Sequence, residues 1–229
     1  MSKKVKNNIE LVSLHIPKTA GTSFRYILKA QFKKKDVARL DIYPSGAIML
    51  NEKEFDSEKL KDKIKVIQGH YTYRNINDKL LLDSNVEFIT WLRDPVERVI
   101  SNYYFLNKII ANRLKELPNE NLMNRIGKTL SEFVQFEENR NVMSKFLEGA
   151  DLNSFKFVGF QRNFEEELQR LSKVMNWNSI KNLQLNTTDS KPRQIDQHLI
   201  ELIEFNNQED ISLYKEALNN IPSTISNIN

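Results

Sequence analysis

The sequence predicts a three-layer α/β fold in which a central, mostly parallel sheet is flanked by helices. Short apolar runs with the composition of strands alternate along the chain with amphipathic stretches of helical spacing. At two places an apolar run passes through a polar loop into a helix start, as happens at the carboxyl edge of a parallel sheet. The 229 residues, 40% of them hydrophobic, are sufficient for one domain with a substantial core.

Six apolar runs have the length and composition of strands, and alternation with helices favours βαβ units. We predict strands at 9–14, 38–43, 65–68, 86–92, 155–159 and 183–185. We predict helices at 24–32, 96–114, 164–175 and 195–205. Residues 1–8 are expected to be a flexible tail, 9–220 one domain with a helical insertion near 111–138, and 221–229 a C-terminal tail.

Composition narrows the classes of function. The chain has no cysteine and therefore no disulfide or thiolate metal site, and its three histidines do not cluster, so we expect no metal site. The net charge of +4 is compatible with an anionic ligand, but aromatic residues do not interleave with a basic stripe, so we expect no nucleic-acid partner. No apolar run is long enough to span a membrane, and Glu10 interrupts the one that follows the basic N-terminus.

The first junction between a strand and a helix has the features of an anion-binding site. Residues 15–23 form a loop between the first strand and the first helix, where free N–H groups and the helix dipole favour negative charge. Lys18 adds a charge, and Thr19, Thr22 and Ser23 add hydroxyl groups. The order differs from that of a nucleotide-triphosphate P-loop, because Lys18 precedes Gly21. We predict that this loop binds phosphate or sulfate.

The second junction, at 88–101, has a well-specified helix start. Asp94 suits the N-cap, Pro95 the first helical position, and Glu97 the third position, where it would complete a capping box. Arg93 then leaves the strand at the same sheet edge as Lys18, and an arginine binds phosphate bidentately. A third strand ends at Gly69 and is followed by His70, and a lone histidine of this kind is often structural.

These segments resemble one family. Residues 15–23 resemble the 5′-phosphosulfate loop of the glycan sulfotransferases related to heparan sulfate 2-O-sulfotransferase, and 88–101 resemble the 3′-phosphate motif of the same enzymes. The resemblance implies a P-loop-like sulfotransferase fold and the donor 3′-phosphoadenosine 5′-phosphosulfate (PAPS), without a metal. It also implies sulfuryl transfer to a hydroxyl of a glycan or glycolipid. The family's animal members are membrane-anchored, whereas we interpret this chain as a soluble, cytoplasmic enzyme of bacterial type.

The resemblance assigns roles to residues at matching positions. It implies that His70 is the general base and that Lys18 neutralises charge at the departing phosphate. It places the donor against Lys18, Thr19, Ala20, Gly21, Thr22, Ser23, Arg93 and Ser101. Lys191 and Arg193 are candidates for a loop that folds over the nucleotide, although a solvated loop fits equally well. The acceptor side is expected to include His15, which would also orient the loop, with Tyr71, Tyr73, Arg74, Asn139 and Met143.

Three alternatives stay open. Glu97 is a rival for the general base, because some related sulfotransferases use a carboxylate. A nucleotide-dependent kinase of P-loop type would need magnesium ligands and a Walker lysine, and neither is visible in the sequence. A non-catalytic protein that binds nucleotides or sulfated glycans would keep Lys18 and Arg93 but would not need His70. The sequence gives no indication of an oligomeric state.

Overall fold

Seven strands form one sheet in the described part of the chain. The structure is a computed structural model, and it describes residues 4–116, 128–177 and 195–222. The strands are β1 (Leu11–Leu14), β2 (Val37–Ile42), β3 (Ile48–Leu50), β4 (Lys53–Glu54), β5 (Val66–Gly69), β6 (Glu87–Leu92) and β7 (Phe157–Phe160). Their order is β4-β3-β2-β5-β1-β6-β7. The five strands β2, β5, β1, β6 and β7, in this spatial order, are parallel. The strands β3 and β4 are antiparallel and lie at one edge.

Helices cover both faces of this sheet. They are α1 (Gly21–Gln31), α2 (Tyr73–Lys79), α3 (Pro95–Glu116), α4 (Leu130–Gln135), α5 (Val142–Phe146), α6 (Phe164–Val174), α7 (Gln197–Asn206) and α8 (Gln208–Asn220). One core packs Phe24 of α1 and Leu171 of α6 against Leu11 of β1, whereas Val12 belongs to the core on the other face. The predicted three-layer α/β fold is therefore confirmed. None of the helices described is long and apolar enough to cross a membrane.

The helical region near the predicted insertion packs on the domain. The short helix α4 begins with a capping box between Thr129 and Glu132. Its Leu130 and Val134 are buried with Val99 of α3 and Ile203 of α7. Residues 117–127 lie outside the described residues, so the insertion as a whole stays a prediction. The C-terminal tail is described only as far as residue 222.

The sequence-based elements differ from the structure at several places. The edge strands β3 and β4 and the helices α2, α5 and α8 were not predicted. The strands and the helices α2 and α5 have too few residues for a periodic pattern, whereas α8, with 13 residues, is long enough to show one. Residues 4–8 also differ from the expected tail. Val5 is buried, forms a bridge to Leu80 and donates its N–H to the carbonyl of Lys79 at 2.8 Å. The predicted strand 183–185 lies outside the described residues.

A buried ion pair joins three helices behind the sheet edge. Arg98 of α3 and Asp210 of α8 are both fully buried, with the Arg98 Nε atom 3.7 Å from the Asp210 Oδ2 atom. The Asp210 carboxylate also accepts the backbone N–H groups of Met143 and Ser144, at 3.2 and 2.8 Å. Arg98 Nη2 donates to the carbonyl of Asn139 at 3.3 Å. Asp210 therefore ties α3 and α5 to α8.

We expect Asp210→Asn to destabilise the fold by about 3–5 kcal/mol, because the buried Arg98 loses its compensating charge. The asparagine amide also places its own N–H₂ group against the backbone N–H groups of Met143 or Ser144, which donate to the carboxylate in the wild type. The measurement is urea unfolding. Glu209→Gln is the matched control, because Glu209 is the exposed neighbour in the same helix turn. Equal unfolding free energies for the two variants would show that the buried pair does not stabilise the protein.

Candidate active site

Three polar segments meet at the carboxyl edge of adjacent strands. β1 lies between β5 and β6, with Leu14 paired to Gly69 on one side and to Thr90 on the other. The loop 15–20 leaves β1, His70 follows β5, and Arg93 follows β6. Because the parallel strands end at the same level, these segments, which are far apart in sequence, lie at one edge of the sheet.

The loop after β1 makes a sharp turn into α1. Lys18 and Ala20 both have left-handed backbone angles, with φ of 71° and 74°. The Thr19 side chain is buried and its hydroxyl donates to the carbonyl of Ile16 at 2.9 Å, so this hydroxyl stabilises the turn. The first hydrogen bond of α1 runs from Phe24 to the carbonyl of Ala20, and no side chain caps the helix. The preceding N–H groups, at 21–23, therefore have no acceptor within the helix.

Arg93 connects the second junction to this loop. Its Nη1 atom donates to the carbonyl of Lys18 at 3.3 Å. The Lys18 ammonium lies 3.8 Å from the ring centre of Phe105, a residue of α3. Burial, and then the positive charge of Arg93, lower the pKa of Lys18. Two cations held this close favour an anion between or beside them.

The start of α3 has the predicted N-cap, with a difference at Glu97. Asp94 Oδ1 accepts the backbone N–H of Glu97 at 3.0 Å, which confirms Asp94 as the cap. The Glu97 carboxylate pairs instead with Arg93, with the Glu97 Oε2 atom 3.4 Å from the Arg93 Nε atom. Glu97 is thus a partner of the arginine. Ser101 lies further along α3 and is partly exposed.

His70 is held by a carboxylate on the neighbouring strand. Asp41 Oδ1 accepts the backbone N–H of His70 at 2.9 Å and lies 3.1 Å from its Nδ1 atom. Arg39 Nε donates to Asp41 Oδ2 at 2.6 Å, and Arg39 Nη1 donates to Glu52 at 2.9 Å. The imidazole is 37% exposed, so it is accessible from solvent. Sequence reasoning missed Asp41, although a charged residue between Leu40 and Ile42 of a buried strand was an available signal.

Close backbone approach requires a glycine before His70. A Cβ atom on Gly69 would lie 1.7 Å from the carbonyl oxygen of Leu40. The carbonyl of His70 accepts the N–H of Ile42 at 3.0 Å, so β2 and the residues after β5 stay paired beyond the regular strands. This tight pairing brings Asp41 to the histidine.

His15 is a buried, neutral residue inside the site. Its ring centre is 4.4 Å from that of His70, and its Nδ1 atom has no hydrogen-bond partner. Burial, followed by the influence of His70, lowers the pKa of His15 to about 3. A Cβ atom on Gly21 would lie 1.9 Å from the His15 ring, so the glycine that starts α1 makes room for it. His15 packs between the anion loop and His70, which agrees with an orienting role and not with a substrate contact.

Several residues expected on the acceptor side are buried, which corrects those assignments. Tyr71 is 1% exposed and its hydroxyl donates to the carbonyl of Ser13 at 3.1 Å. Met143 is fully buried, and Asn139 is buried with its amide donating to Phe133 at 2.8 Å. All three side chains are packed in the protein interior, although Tyr71 also borders the cavity beside His70. Lys191 and Arg193 lie outside the described residues.

Two depressions flank this region. A cavity of about 380 Å³ opens beside His70 and is lined by Arg39, Tyr43, Pro44, Thr72, Asn75 and Phe146. Tyr73 and Arg74 line a different, shallower depression, together with Glu148. The Arg74 Nη1 atom lies 3.8 Å from the Glu148 carboxylate. Within the described ranges, no three His, Asp or Glu side chains lie close enough to hold one metal ion.

Comparison with known proteins identifies a family. The model of the sulfotransferase family matches residues 3–215. No curated protein matches the sequence. The solved structure of mouse sulfotransferase SULT7A1 complexed with PAP (3′-phosphoadenosine 5′-phosphate) is similar in fold, with 11% sequence identity and a TM-score of 0.44. The match covers 91% of this chain and 67% of that one. A sulfotransferase from Alicyclobacillus acidocaldarius is 11% identical with a TM-score of 0.48, over 89% of this chain and 93% of that one. Structural likenesses this distant carry no argument about the site.

The burial of His15 predicts a pH dependence of stability. Its folded pKa, about 3, lies below the value of 6.5 expected when exposed, so below pH 6.5 the unfolded chain binds a proton that the folded protein does not. The folded protein should therefore lose about 2 kcal/mol between pH 7 and pH 5 through this group. In His15→Phe that loss should disappear. Urea unfolding at both pH values measures it.

Asp41 does not interfere with this test. Its folded pKa of about 2 lies below the usual value of 3.8, so its contribution to stability is nearly complete at pH 5 and is lost only at lower pH. An equally steep loss of stability between pH 7 and pH 5 in wild type and His15→Phe would contradict the prediction.

Proposed function

This chain belongs to the sulfotransferase family, and we propose that it transfers a sulfuryl group from PAPS to a hydroxyl group of a carbohydrate, with His70 as general base. One observation carries the proposal. The cationic loop of Lys18 is joined to Arg93 from the next strand, and His70 lies on the other side of the same strand end. A site for an anionic donor and a candidate base are thus adjacent.

The hydrogen-bond donors of the loop after β1 fit the 5′-phosphosulfate end of PAPS. The free N–H groups at the start of α1 and the Lys18 ammonium are donors for phosphate and sulfate oxygens. When bound, PAPS supplies the sulfuryl group, whose bond to the 5′-phosphate breaks as an acceptor oxygen attacks. Lys18 would neutralise the charge that develops at that phosphate. Its contact with the Phe105 ring is weak enough for the ammonium to turn toward an anion.

Arg93 and Ser101 are proposed to hold the 3′-phosphate. Arg93 still has donors beyond the one that binds the Lys18 carbonyl, and its side chain is 21% exposed. Its fixed position at the end of β6 would orient the donor relative to the loop. Glu97 holds the guanidinium from the other side. We therefore favour His70 over Glu97 as the base.

His70 has the geometry of a base that is ready to act. Its Nδ1 atom faces Asp41, which leaves Nε2 to accept the proton of an acceptor hydroxyl. Its ring borders the 380 Å³ cavity, which we propose as the acceptor pocket. The exposed ring of Tyr43 and the polar side chains of Thr72 and Asn75 provide one apolar surface and several hydrogen-bonding groups, a combination suited to a sugar.

The donor site predicts selective binding of 3′-phosphoadenosine 5′-phosphate (PAP), the product of the donor. In calorimetric titrations PAP should bind and ATP with magnesium should not. Arg93→Met should weaken PAP binding roughly 10- to 100-fold, because charge-assisted hydrogen bonds are lost. The matched control is Arg74→Met, which removes an exposed arginine of the separate depression.

Each other outcome of the titration is informative. Preference for ATP would favour the alternative that the protein is a nucleotide-dependent kinase. Equal weakening in Arg93→Met and Arg74→Met would remove Arg93 from the donor site. If PAP binds but no acceptor hydroxyl is ever sulfated, the chain is a nucleotide-binding protein.

The proposed base predicts a separation of turnover from donor binding. His70→Ala should lower turnover about 10²- to 10⁴-fold and leave PAP affinity within a few-fold of wild type. The assay measures PAP release with PAPS and a panel of acceptors, namely an unsulfated glycosaminoglycan, an alkyl glucoside and a simple phenol. His198→Ala is the control, because His198 is an exposed residue of α7.

Two results would contradict this assignment. Loss of PAP affinity in parallel with turnover would make His70 a binding residue. A greater loss of turnover in Glu97→Gln than in His70→Ala, with PAP still bound, would identify Glu97 as the base.

The same assay tests the acceptor class. A preference for the phenol over both sugars would overturn the proposal that the acceptor is a carbohydrate.

A further inference from the structure

We propose that Asp41 is a positioning residue for His70: it holds the imidazole in the tautomer with the proton on Nδ1 and so presents a bare Nε2 to the acceptor pocket. The consequence for turnover rests on the proposed function of His70, whereas the tautomer itself is a property of the protein alone. Asp41 lies on β2, which is separated from β1 by β5.

The carboxylate contacts His70 twice. Its Oδ1 atom accepts the backbone N–H of His70 at 2.9 Å and lies 3.1 Å from the ring Nδ1 atom. Because the backbone N–H can only donate, Oδ1 is oriented as an acceptor, and the ring nitrogen beside it is best satisfied as a donor. The side-chain exposure is 10% for Asp41, so water competes little for these contacts.

The other oxygen of the carboxylate is fixed by an arginine. Arg39 Nε donates to Asp41 Oδ2 at 2.6 Å, and Glu52 holds the far end of the same guanidinium at 2.9 Å. Burial raises the pKa of Asp41, but the hydrogen bonds from His70 and the charge of Arg39 outweigh it and bring the pKa to about 2. The group is therefore an anion with hydrogen-bond donors on both sides.

The opposite face of the imidazole is also restrained. The ring of His15 lies 4.4 Å away, centre to centre, at an angle of 32°. A flip of the His70 ring would lose the contact between Nδ1 and Asp41. The histidine is thus fixed in orientation before any substrate binds, and the carboxylate also stabilises the positive charge that the ring acquires on taking up a proton.

An amide cannot replace this carboxylate. Asp41→Asn keeps the size of the side chain but has one oxygen for donors on two sides. If the oxygen faces His70, the hydrogen bond from Arg39 is lost and His70 is held by an uncharged acceptor. If the oxygen faces Arg39, the amide N–H₂ group faces His70, where it can donate only to an Nδ1 that has lost its proton. The ring then carries its proton on Nε2 and cannot accept one from the acceptor hydroxyl.

The test reads the tautomer directly. In protein labelled with ¹⁵N-histidine, two-bond nitrogen–proton correlation spectra at pH 8 distinguish Nδ1–H from Nε2–H in each of the three histidines. We expect Nδ1–H for His70 in wild type and a shift toward Nε2–H in Asp41→Asn. Glu52→Gln is the matched control, since it removes a carboxylate that contacts Arg39 and leaves Asp41 in place. His70→Ala assigns the signal.

Activity provides the second readout. Turnover in Asp41→Asn should fall about 10²- to 10⁴-fold, with PAP affinity within a few-fold of wild type, as expected for a base in the wrong tautomer. Glu52→Gln should retain most of its turnover.

Three results would overturn the proposal, and one would overturn the proposed function instead. The first is an Nε2–H tautomer for His70 in wild type, which needs no variant and so does not depend on how Asp41→Asn folds. The second is an unchanged tautomer in both Asp41→Asn and Asp41→Ala, since the alanine leaves no side-chain oxygen beside Nδ1. The third is full turnover in both variants when His70→Ala is inactive. Full turnover in His70→Ala would overturn the role of His70 as base, whatever its tautomer.

Discussion

Parallel pairing of β1 with both of its neighbours is the constraint on which the whole site depends. Leu14 lies level with Gly69 of β5 and Thr90 of β6, so the residues that follow these three strands emerge at the same height. This register brings the loop of Lys18, the imidazole of His70 and the guanidinium of Arg93 to one edge of the sheet. A shift of one strand by a single residue would turn its side chains to the opposite face and disperse the site.

The charges in the site are separated into two groups. Lys18 and Arg93 lie on the β6 side of β1, with the exposed carboxylate of Glu97 as a partner of the arginine. On the β5 side, the anion Asp41 is neutralised by Arg39. The cationic group therefore has spare capacity for an anionic ligand, whereas the anionic group is committed to holding a histidine.

Two glycines make the dense packing between these groups possible. Gly21 leaves room for the buried His15 ring, and Gly69 allows β2 to approach the end of β5. Each lies where the smallest side chain would already collide with its surroundings. The candidate site is thus built from close contacts at both glycines, and this dense packing fixes the positions of the surrounding groups.

The sequence by itself determined the α/β class, the two junctions between strand and helix, and the cap at Asp94, because each depends on residues that are neighbours in the chain. It also indicated Arg93 and His70, which follow strand ends directly, and Lys18, which lies in the loop after β1. Only the tertiary structure decided that Asp41 holds His70. The order of strands places β2 beside β5, and residues 29 positions apart become partners.

Burial was likewise decided by the tertiary structure. Tyr71 and Met143 follow or lie near site motifs in sequence, but packing between the sheet and its helices turns both side chains into the core. His15 directly follows β1, and only the fold shows that its ring is enclosed by Gly21 and His70. Local patterns specify where a strand or helix begins, whereas the direction of a side chain in a loop depends on the elements packed around it.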